Sequence, residues 1–269
     1  ENPEMPHLNI SIVIITWNAL NFLQICLKSL FEKNSSFEFE LIVIDNNSTD
    51  GSIEYIEKNY PDAILIKNNT NTGVAPARNK WLQIAKRKYI LILDVDTEFL
   101  TEDGLQKLYG FMEENPSYGV TGAKLLFPNN EIQHTCRKFP SVAVKLFNRF
   151  ESIGIIRDSK SLREHYMIDK DHNKIQKVDY VIGAFQFIRK EVVDKIGFYD
   201  EHIFYGPEDI DFCLRAKKAG YYTAYFPYVE LYHFYQRITK KFFTQITWEH
   251  IKGLVYFYRK HKYITYPKI

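Results

Sequence analysis

Tyr89-Ile-Leu-Ile-Leu-Asp94-Val-Asp96 decides how the rest of this 269-residue chain is read. Four apolar residues in a row, with basic residues before them and acids after, predict a strand buried on both faces. Such a strand belongs in the middle of a sheet covered by helices on either side. Its C-terminal end delivers two carboxylates at i and i+2. On a strand these point the same way, with Val95 facing the other side. In open α/β sheets, ligands bind outside the carboxyl ends of the strands. Two readings stay open at this point. The acids either end the strand and start the next helix, or form a site for a hard cation and the anion it carries.

Toward the N-terminus the pattern recurs. Ile10 to Thr16 reads as a buried strand and Trp17-Asn18 as a turn, followed by Leu20, Leu23, Leu27, Leu30 and Phe31 at helical spacing. Phe39 to Asp45 is a second strand. Asn46 to Gly51 is turn chemistry, with Ser48, Thr49 or Asp50 available to cap a helix reaching about Asn59. Ala63 to Ile66 is a short third strand, Asn68 to Gly73 a polar loop, and Pro76 opens a helix ending near Arg87. Strands alternating with helices across short connections predict a doubly wound, mostly parallel sheet.

The C-terminal half is less regular. Helices are expected from about Glu102 to Glu114, from Lys190 to Ile196 and from Glu208 to Ala219. The last has acids first and bases last, the order a helix dipole favours. Gly119 to Phe127 and Val178 to Ile188 read as strands, the second interrupted at Gly183-Ala184. Periodicity fades between Asn129 and Lys177, which predicts a long loop or lid. There is no internal repeat and no low-complexity segment.

Composition narrows the class. At 45% hydrophobic and 25% charged, the chain reads as one large domain or a domain with an appendage. Its 19 Tyr and 20 Phe supply a sizeable core and stacking surfaces. A formal net charge of +2 gives no reason to expect a nucleic-acid partner. Cys26, Cys136 and Cys213 lack metal or redox spacing, so buried thiols in a reducing compartment are expected. No apolar run approaches the ~18 residues of a membrane span, and the N-terminus shows no signal-peptide core. Overlapping glycosylation sequons at Asn46 and Asn47 fall in the expected ligand loop, which adds weight to a cytoplasmic location.

Four polar clusters fall at the ends of the first, second and fourth strands and after the third: Thr16-Trp17-Asn18, Asp45-Asn46-Asn47, Asp94-Val95-Asp96 and Asn71-Thr72-Gly73. A parallel sheet brings them to one edge. There an Asp can accept from a base imide or a ribose hydroxyl, and Asn can both donate and accept. Neither Gly-x-Gly-x-x-Gly nor a Walker lysine motif is present, so a bound diphosphate would have to be met by a metal on Asp96 with lysine or arginine.

Four segments in order carry a resemblance. They are Ser11 to Asn18, Val43-Ile-Asp-Asn-Asn-Ser-Thr-Asp-Gly-Ser52, Asn71 to Asn79 with Leu93-Asp-Val-Asp96, and Gly183-Ala184 through Gly197-Phe-Tyr-Asp-Glu201 to Tyr205-Gly-Pro-Glu-Asp-Ile-Asp211. The chain resembles the inverting family 2 glycosyltransferases of the GT-A fold, in their bacterial rhamnosyltransferase-like branch. The resemblance implies a Rossmann-like nucleotide-sugar half over 10–97, an acceptor half over 98–235, and a basic aromatic helical extension over 236–269. It implies transfer from a dTDP- or UDP-sugar donor to a glycan or lipid-linked acceptor in cell-surface polysaccharide synthesis. Thr16, Asn18, Asp45, Asn47, Asn71, Gly73, Arg78, Asn79 and Asp94 would then line the donor site, Asp45 on the base and Asp94 on the ribose. Gly183, Ala184 and Glu208 would face the acceptor. Asp96 and His233 would hold the cation, Mn2+ or Mg2+. Without the resemblance, His233 reads first as a satisfied core histidine and only second as a ligand.

The resemblance places the general base on Asp209 of Pro207-Glu-Asp, and helical spacing agrees. Asp211 stands four residues before Arg215, an ion-pair spacing, whereas Asp209 has Cys213 at that distance. The helix N-terminus would lower the Asp209 pKa, and Glu208 and Asp211 would raise it. Glu208 would position the acceptor or cap the helix. The extension offers Arg237, Lys240, Lys241, Lys252, Arg259, Lys260, Lys262 and Lys268 beside Phe242, Phe243, Ile246, Leu254, Phe257 and Tyr258. It reads either as a helix packed on the core or as a surface for the inner face of an anionic membrane. A sugar-phosphate nucleotidyltransferase is the rival enzyme, but it should show a Gly-rich N-terminal phosphate loop. A non-catalytic relative should have lost Asp96 or Asp209, and both are present.

Overall fold

The computed structural model of the chain describes residues 9–149, 159–204, 206–234 and 245–267. It begins with β1 (Ile10–Thr16), α1 (Leu20–Lys33), β2 (Glu40–Asp45), α2 (Ser52–Asn59), β3 (Ile64–Lys67), α3 (Val74–Asn79) and β4 (Tyr89–Asp94). β3, β2, β1 and β4 lie side by side in that order, all parallel. β4 is central, and its side chains alternate between two cores. Ile90 and Ile92 enter one, and Tyr89, Leu91 and Leu93 the other. Each fully buried Leu or Ile contributes about 1.5–3 kcal/mol. A strand feeding both cores therefore stays apolar until it leaves the sheet. α1 covers one face with Leu23, Cys26, Leu27 and Leu30.

The sheet continues beyond β4 through β11 (Phe185–Arg189), β6 (Tyr118–Leu126), β12 (Tyr222–His233) and β5 (Thr97–Phe99). β11 runs antiparallel to β4 and β6, β12 parallel to β6, and β5 antiparallel to β12. Around them lie α4 (Gly104–Glu114), β7 (Ile132–Gln133), β8 (Cys136–Arg137), α5 (Val142–Arg149), α6 (Lys160–His165), β9 (Gln176–Val178) and β10 (Tyr180–Val181). α7 (Lys190–Ile196), α8 (Glu208–Lys218) and α9 (Gln245–His261) complete the described elements.

Several local readings change. β4 stops at Asp94 and Asp96 lies in a turn, because the chain must leave the sheet before it enters β5. The strand alternation expected for the two acids therefore does not apply. The helix expected from Pro76 to Arg87 ends at Asn79 and tightens into a 3-10 turn over Lys80–Gln83. That turn sets the buried Trp81 edge-on against Phe198, 4.8 Å between ring centroids. The strand expected over Val178 to Ile188 is split among β9, β10 and β11, each with a different partner. Asn129 to Lys177, read as a loop, also contains β7, β8, α5 and α6. Two-residue strands show no alternation to detect. Asp50 accepts from the Ser52 N–H beside α2 and also from the Leu20 N–H at the start of α1, at 2.8 Å for the latter.

α9 packs on the core through the fully buried Phe257. Tyr258 adds a hydrogen bond to the Pro140 carbonyl at 3.0 Å, and further inward contacts are ionic. Lys260 reaches Asp200 and Asp211, both at 2.7 Å, and His261 Nε2 lies 2.7 Å from Asp211. Arg215 meets Asp211 at 2.7 Å, as the four-residue spacing predicts. Burial alone would raise the Asp211 carboxyl, but His261, Arg215 and Lys260 together hold it down at about 2. Lys260 is thus withdrawn from the outward basic face. Arg237, Lys240, Lys241, Phe242, Phe243 and Lys268 lie outside the described residues, as does Tyr205. The three cysteines are buried and unpaired, and burial pushes each thiol up to about 12.

Candidate active site

Strand register builds the site. Thr16 pairs with Asp45, Ile15 with Asp94, and the Asp94 N–H donates to the Ala184 carbonyl at 2.9 Å. After the turn, Thr97 of β5 pairs with His233 of β12, and the Phe234 N–H returns to the Asp96 carbonyl at 2.8 Å. This places His233 Nε2 3.5 Å from Asp96 Oδ1. One ligand atom from each of Asp94, Asp96 and His233 lies within 4.8 Å of the others. Burial first, then the Asp94 charge, pushes the Asp96 carboxyl up to about 7. Burial lowers the His233 pKa against the pull of Asp94, which favours the neutral imidazole that a metal requires.

Gln133 fixes that imidazole. Its Nε2 donates to the His233 carbonyl at 2.7 Å, so its Oε1, 2.8 Å from His233 Nδ1, must accept. Nδ1 therefore carries the proton, and the Nε2 lone pair is directed toward Asp96. Two carboxylates converging on one point, beside an imidazole held in the metal-binding tautomer, fit Mn2+ or Mg2+. Replacing Gln133 with Ala should weaken Mn2+ affinity about 10- to 100-fold. Calorimetric titration with Mn2+ checks this, and an unchanged affinity would show that Gln133 has no such role.

Arg78 joins this group to the acidic pair of α8. The buried guanidinium places Nη2 2.7 Å from Asp94 Oδ1 and donates to the Gly183 carbonyl at 3.1 Å. Its Nη1 lies 3.5 Å from Glu208 Oε1. A Cβ at position 183 would stand 2.7 Å from Nη1, so a larger residue there would displace the guanidinium from this position. The Gly183 N–H in turn donates to Asp209 Oδ2 at 3.2 Å, and the Ile210 N–H to Oδ1 at 2.7 Å. Burial and the Asp209 charge push Glu208 up to about 7 against the opposing pull of Arg78. Lys145 of α5 falls to about 8 through burial, partly offset by attraction to Asp209. Asp209 also attracts Arg137 of β8.

At the nucleotide end the expected residues are not alike. Thr16 and Asp45 are buried, and Thr16 Oγ1 and Asp45 Oδ1 have no hydrogen-bond partner among the described residues. The other Asp45 oxygen accepts from the Ser48 N–H at 2.9 Å. Asn18 and Asn47 are exposed with positive φ. Asn18 Oδ1 accepts from the Thr49 N–H at 2.8 Å. Asn71 Oδ1 accepts from the Gly73 N–H at 3.0 Å, and Phe204 lies where a side chain on Gly73 would go. The Asn79 amide is taken up by the Tyr199 carbonyl at 2.8 Å and Glu201 at 2.9 Å. Ala184 is buried in a core cluster. Asn46, unassigned from sequence, ties this edge together through Asn68, Asn71 and the Gly73 carbonyl. Gln133, Arg137 and Lys145 were also missed, since all three sit in the stretch without periodicity.

Fold and site together define an open α/β protein with an acidic, metal-capable centre at the strand ends. The family model for glycosyl transferase family 2 matches residues 11–197, and the chain belongs to that family. Poly(ribitol-phosphate) beta-glucosyltransferase of Bacillus spizizenii is 35% identical over 123 residues, covering 44% of this chain and 19% of the relative. N-acetylglucosaminyl-diphospho-decaprenol L-rhamnosyltransferase of Mycobacterium tuberculosis is 21% identical over 204 residues, covering 72% and 66%. The chain therefore spans less than two thirds of either. The solved structure of GalNAc-T7 with UDP, GalNAc and Mn2+ matches with a TM-score of 0.69 at 17% identity, over 94% of this chain and 48% of that one. At this identity the likeness is one of fold, the GT-A arrangement.

Proposed function

We propose that this chain is an inverting, divalent-metal-dependent glycosyltransferase. It moves a sugar from a dTDP- or UDP-linked donor to a glycan or lipid-linked acceptor in cell-surface polysaccharide synthesis, on the cytoplasmic side. Residues 10–97 hold the donor, 98–235 the acceptor, and 236–269 form an extension. Arg78 carries the reading. One buried guanidinium touches Asp94 of the metal-capable group and Glu208 of the acidic pair, so donor and acceptor chemistry share one centre.

Asp94, Asp96 and His233 would hold Mn2+ or Mg2+, which when bound neutralises the diphosphate leaving group. Asp45 Oδ1, buried without a partner, accepts the imide N–H of a pyrimidine base, and Thr16 Oγ1 donates nearby. Asn18, Asn47, Asn71, Gly73 and Asn79 shape the rim of that pocket. Glu208 and Gly183 orient the acceptor. The Asp209 carboxylate, aimed by the Gly183 N–H, takes the proton of the attacking hydroxyl as that oxygen reaches the anomeric carbon from the face opposite the diphosphate.

A thermal-shift screen of nucleotide sugars, with and without Mn2+ or Mg2+, tests the reading. At 100 times Kd a ligand adds about 2.7 kcal/mol. In a domain of this size that raises Tm by about 5–10 °C. The cognate donor should do so only with metal. If no nucleotide sugar shifts Tm under either condition, the proposal fails.

A further inference from the structure

We propose that the outward face of α9 is a docking surface for an anionic lipid bilayer, which presents a lipid-linked acceptor to the acidic pair. The inference rests on the reading above only for what the bilayer delivers.

Trp248, Ile251, Val255 and Arg259 are spaced three, four and four residues apart, so they form one line along the helix, and Lys262 continues it just past the end. Trp248 is 56% exposed, Ile251 40% and Val255 47%. Arg259 and Lys262 are exposed, and Lys252, beside the line, has 69% of its side chain in solvent. The only acid of the helix, Glu249, pairs with Lys252 at 2.8 Å. The opposite face is fully committed to the protein. Phe257 is buried, Gly253 closes on the Gly206 carbonyl, and Lys260 and His261 hold Asp200 and Asp211. The outward stripe is therefore a fixed surface.

Its chemistry selects the partner. Large apolar side chains at one end and cations at the other suit the boundary between acyl chains and anionic headgroups, where Trp is favoured. A protein partner reading the cations alone would leave Trp248, Ile251 and Val255 in water. No described helix is long and apolar enough to cross a membrane, and the contact proposed for α9 lies along the bilayer surface. α9 packs against Gly206-Pro207, directly before Glu208 and Asp209. Docking would thus place the start of the helix that carries the acidic pair directly behind the membrane-facing helix.

Vesicle co-sedimentation tests this with the full chain, using phosphatidylcholine alone and mixed with phosphatidylglycerol. The chain should pellet with the mixed vesicles and stay in solution with phosphatidylcholine. The combined Trp248→Ser, Ile251→Ser and Val255→Ser variant should lose binding about tenfold or more, and so should Lys252→Gln, Arg259→Gln and Lys262→Gln together. Wild type remaining soluble with anionic vesicles, or variants pelleting like wild type, overturns the proposal. So does light scattering that shows a dimer abolished by the serine variant, which would make the occupant a second copy. All of the substitutions are on the solvent face, so nucleotide-dependent thermal shifts should be unchanged. Lost vesicle binding with intact thermal shifts, or the reverse, tells failure of docking from failure of the donor reading.

Discussion

Replacing Asp209 with Asn should lower transfer by about 10²- to 10⁴-fold, the range general-base catalysis supplies. The affinity for nucleotide should stay within a few-fold. Asn keeps the shape, and its carbonyl oxygen can still accept from the Gly183 N–H that aims the carboxylate, at the cost of the bond from the Ile210 N–H. What it cannot do is take a proton. The loss should therefore fall on kcat, and the donor KM should hold. Glu208→Gln is the control. Glu208 touches Arg78 rather than the Gly183 N–H, so its loss should act mainly through the acceptor KM. Full activity in Asp209→Asn with a collapse in Glu208→Gln would move the base to Glu208.

The second large effect is expected from Asp96→Ala. Asp96 sits between Asp94 and His233, and its raised proton affinity comes from a buried site already crowded with negative charge. A divalent ion reverses that repulsion, so removing Asp96 removes much of the attraction that assembles metal and diphosphate. Donor affinity in Mn2+ should fall by more than the about 10- to 100-fold expected for an outer residue such as Gln133. Without metal the variant and the wild type should bind nucleotide alike. Superimposable calorimetric titrations of the two in Mn2+ would remove Asp96 from the metal-holding group.

Sequence reading succeeded where physics is local. β1, β2 and β4 announce themselves because strands buried on both faces admit only apolar side chains, and α8 because its charges follow the helix dipole. The polar residues at those strand ends do fall along one edge, because β1, β2 and β4 lie parallel and in register. Asp96 was misread as strand because nothing in Asp-Val-Asp-Thr announces where pairing stops. His233 was assignable only through the family resemblance, since β12 reads like any exposed-and-buried mixture until its register with β5 is known. Gln133, Arg137 and Lys145 were beyond reach. Gln133 and Arg137 sit on strands of two residues and Lys145 on a helix of eight, and their partners are set by tertiary placement. The Arg78 contacts were hidden for another reason. Arg78 was expected on the donor, and only packing shows that Asp94, Gly183 and Glu208 already share it.

The pairing of β12 with β5 also bears on how the chain matures. Gln133 and His233 are 100 residues apart, and β12 lies between β6 and β5 inside the sheet. Contacts so distant along the chain must pay for loop closure before they return any stability, so this strand is expected to insert late. A chain emerging from the ribosome has Asp94 and Asp96 early but acquires the third member of the group only when the last strand arrives. Divalent ions would then favour the completed sheet over every precursor, making metal affinity a reporter of finished folding.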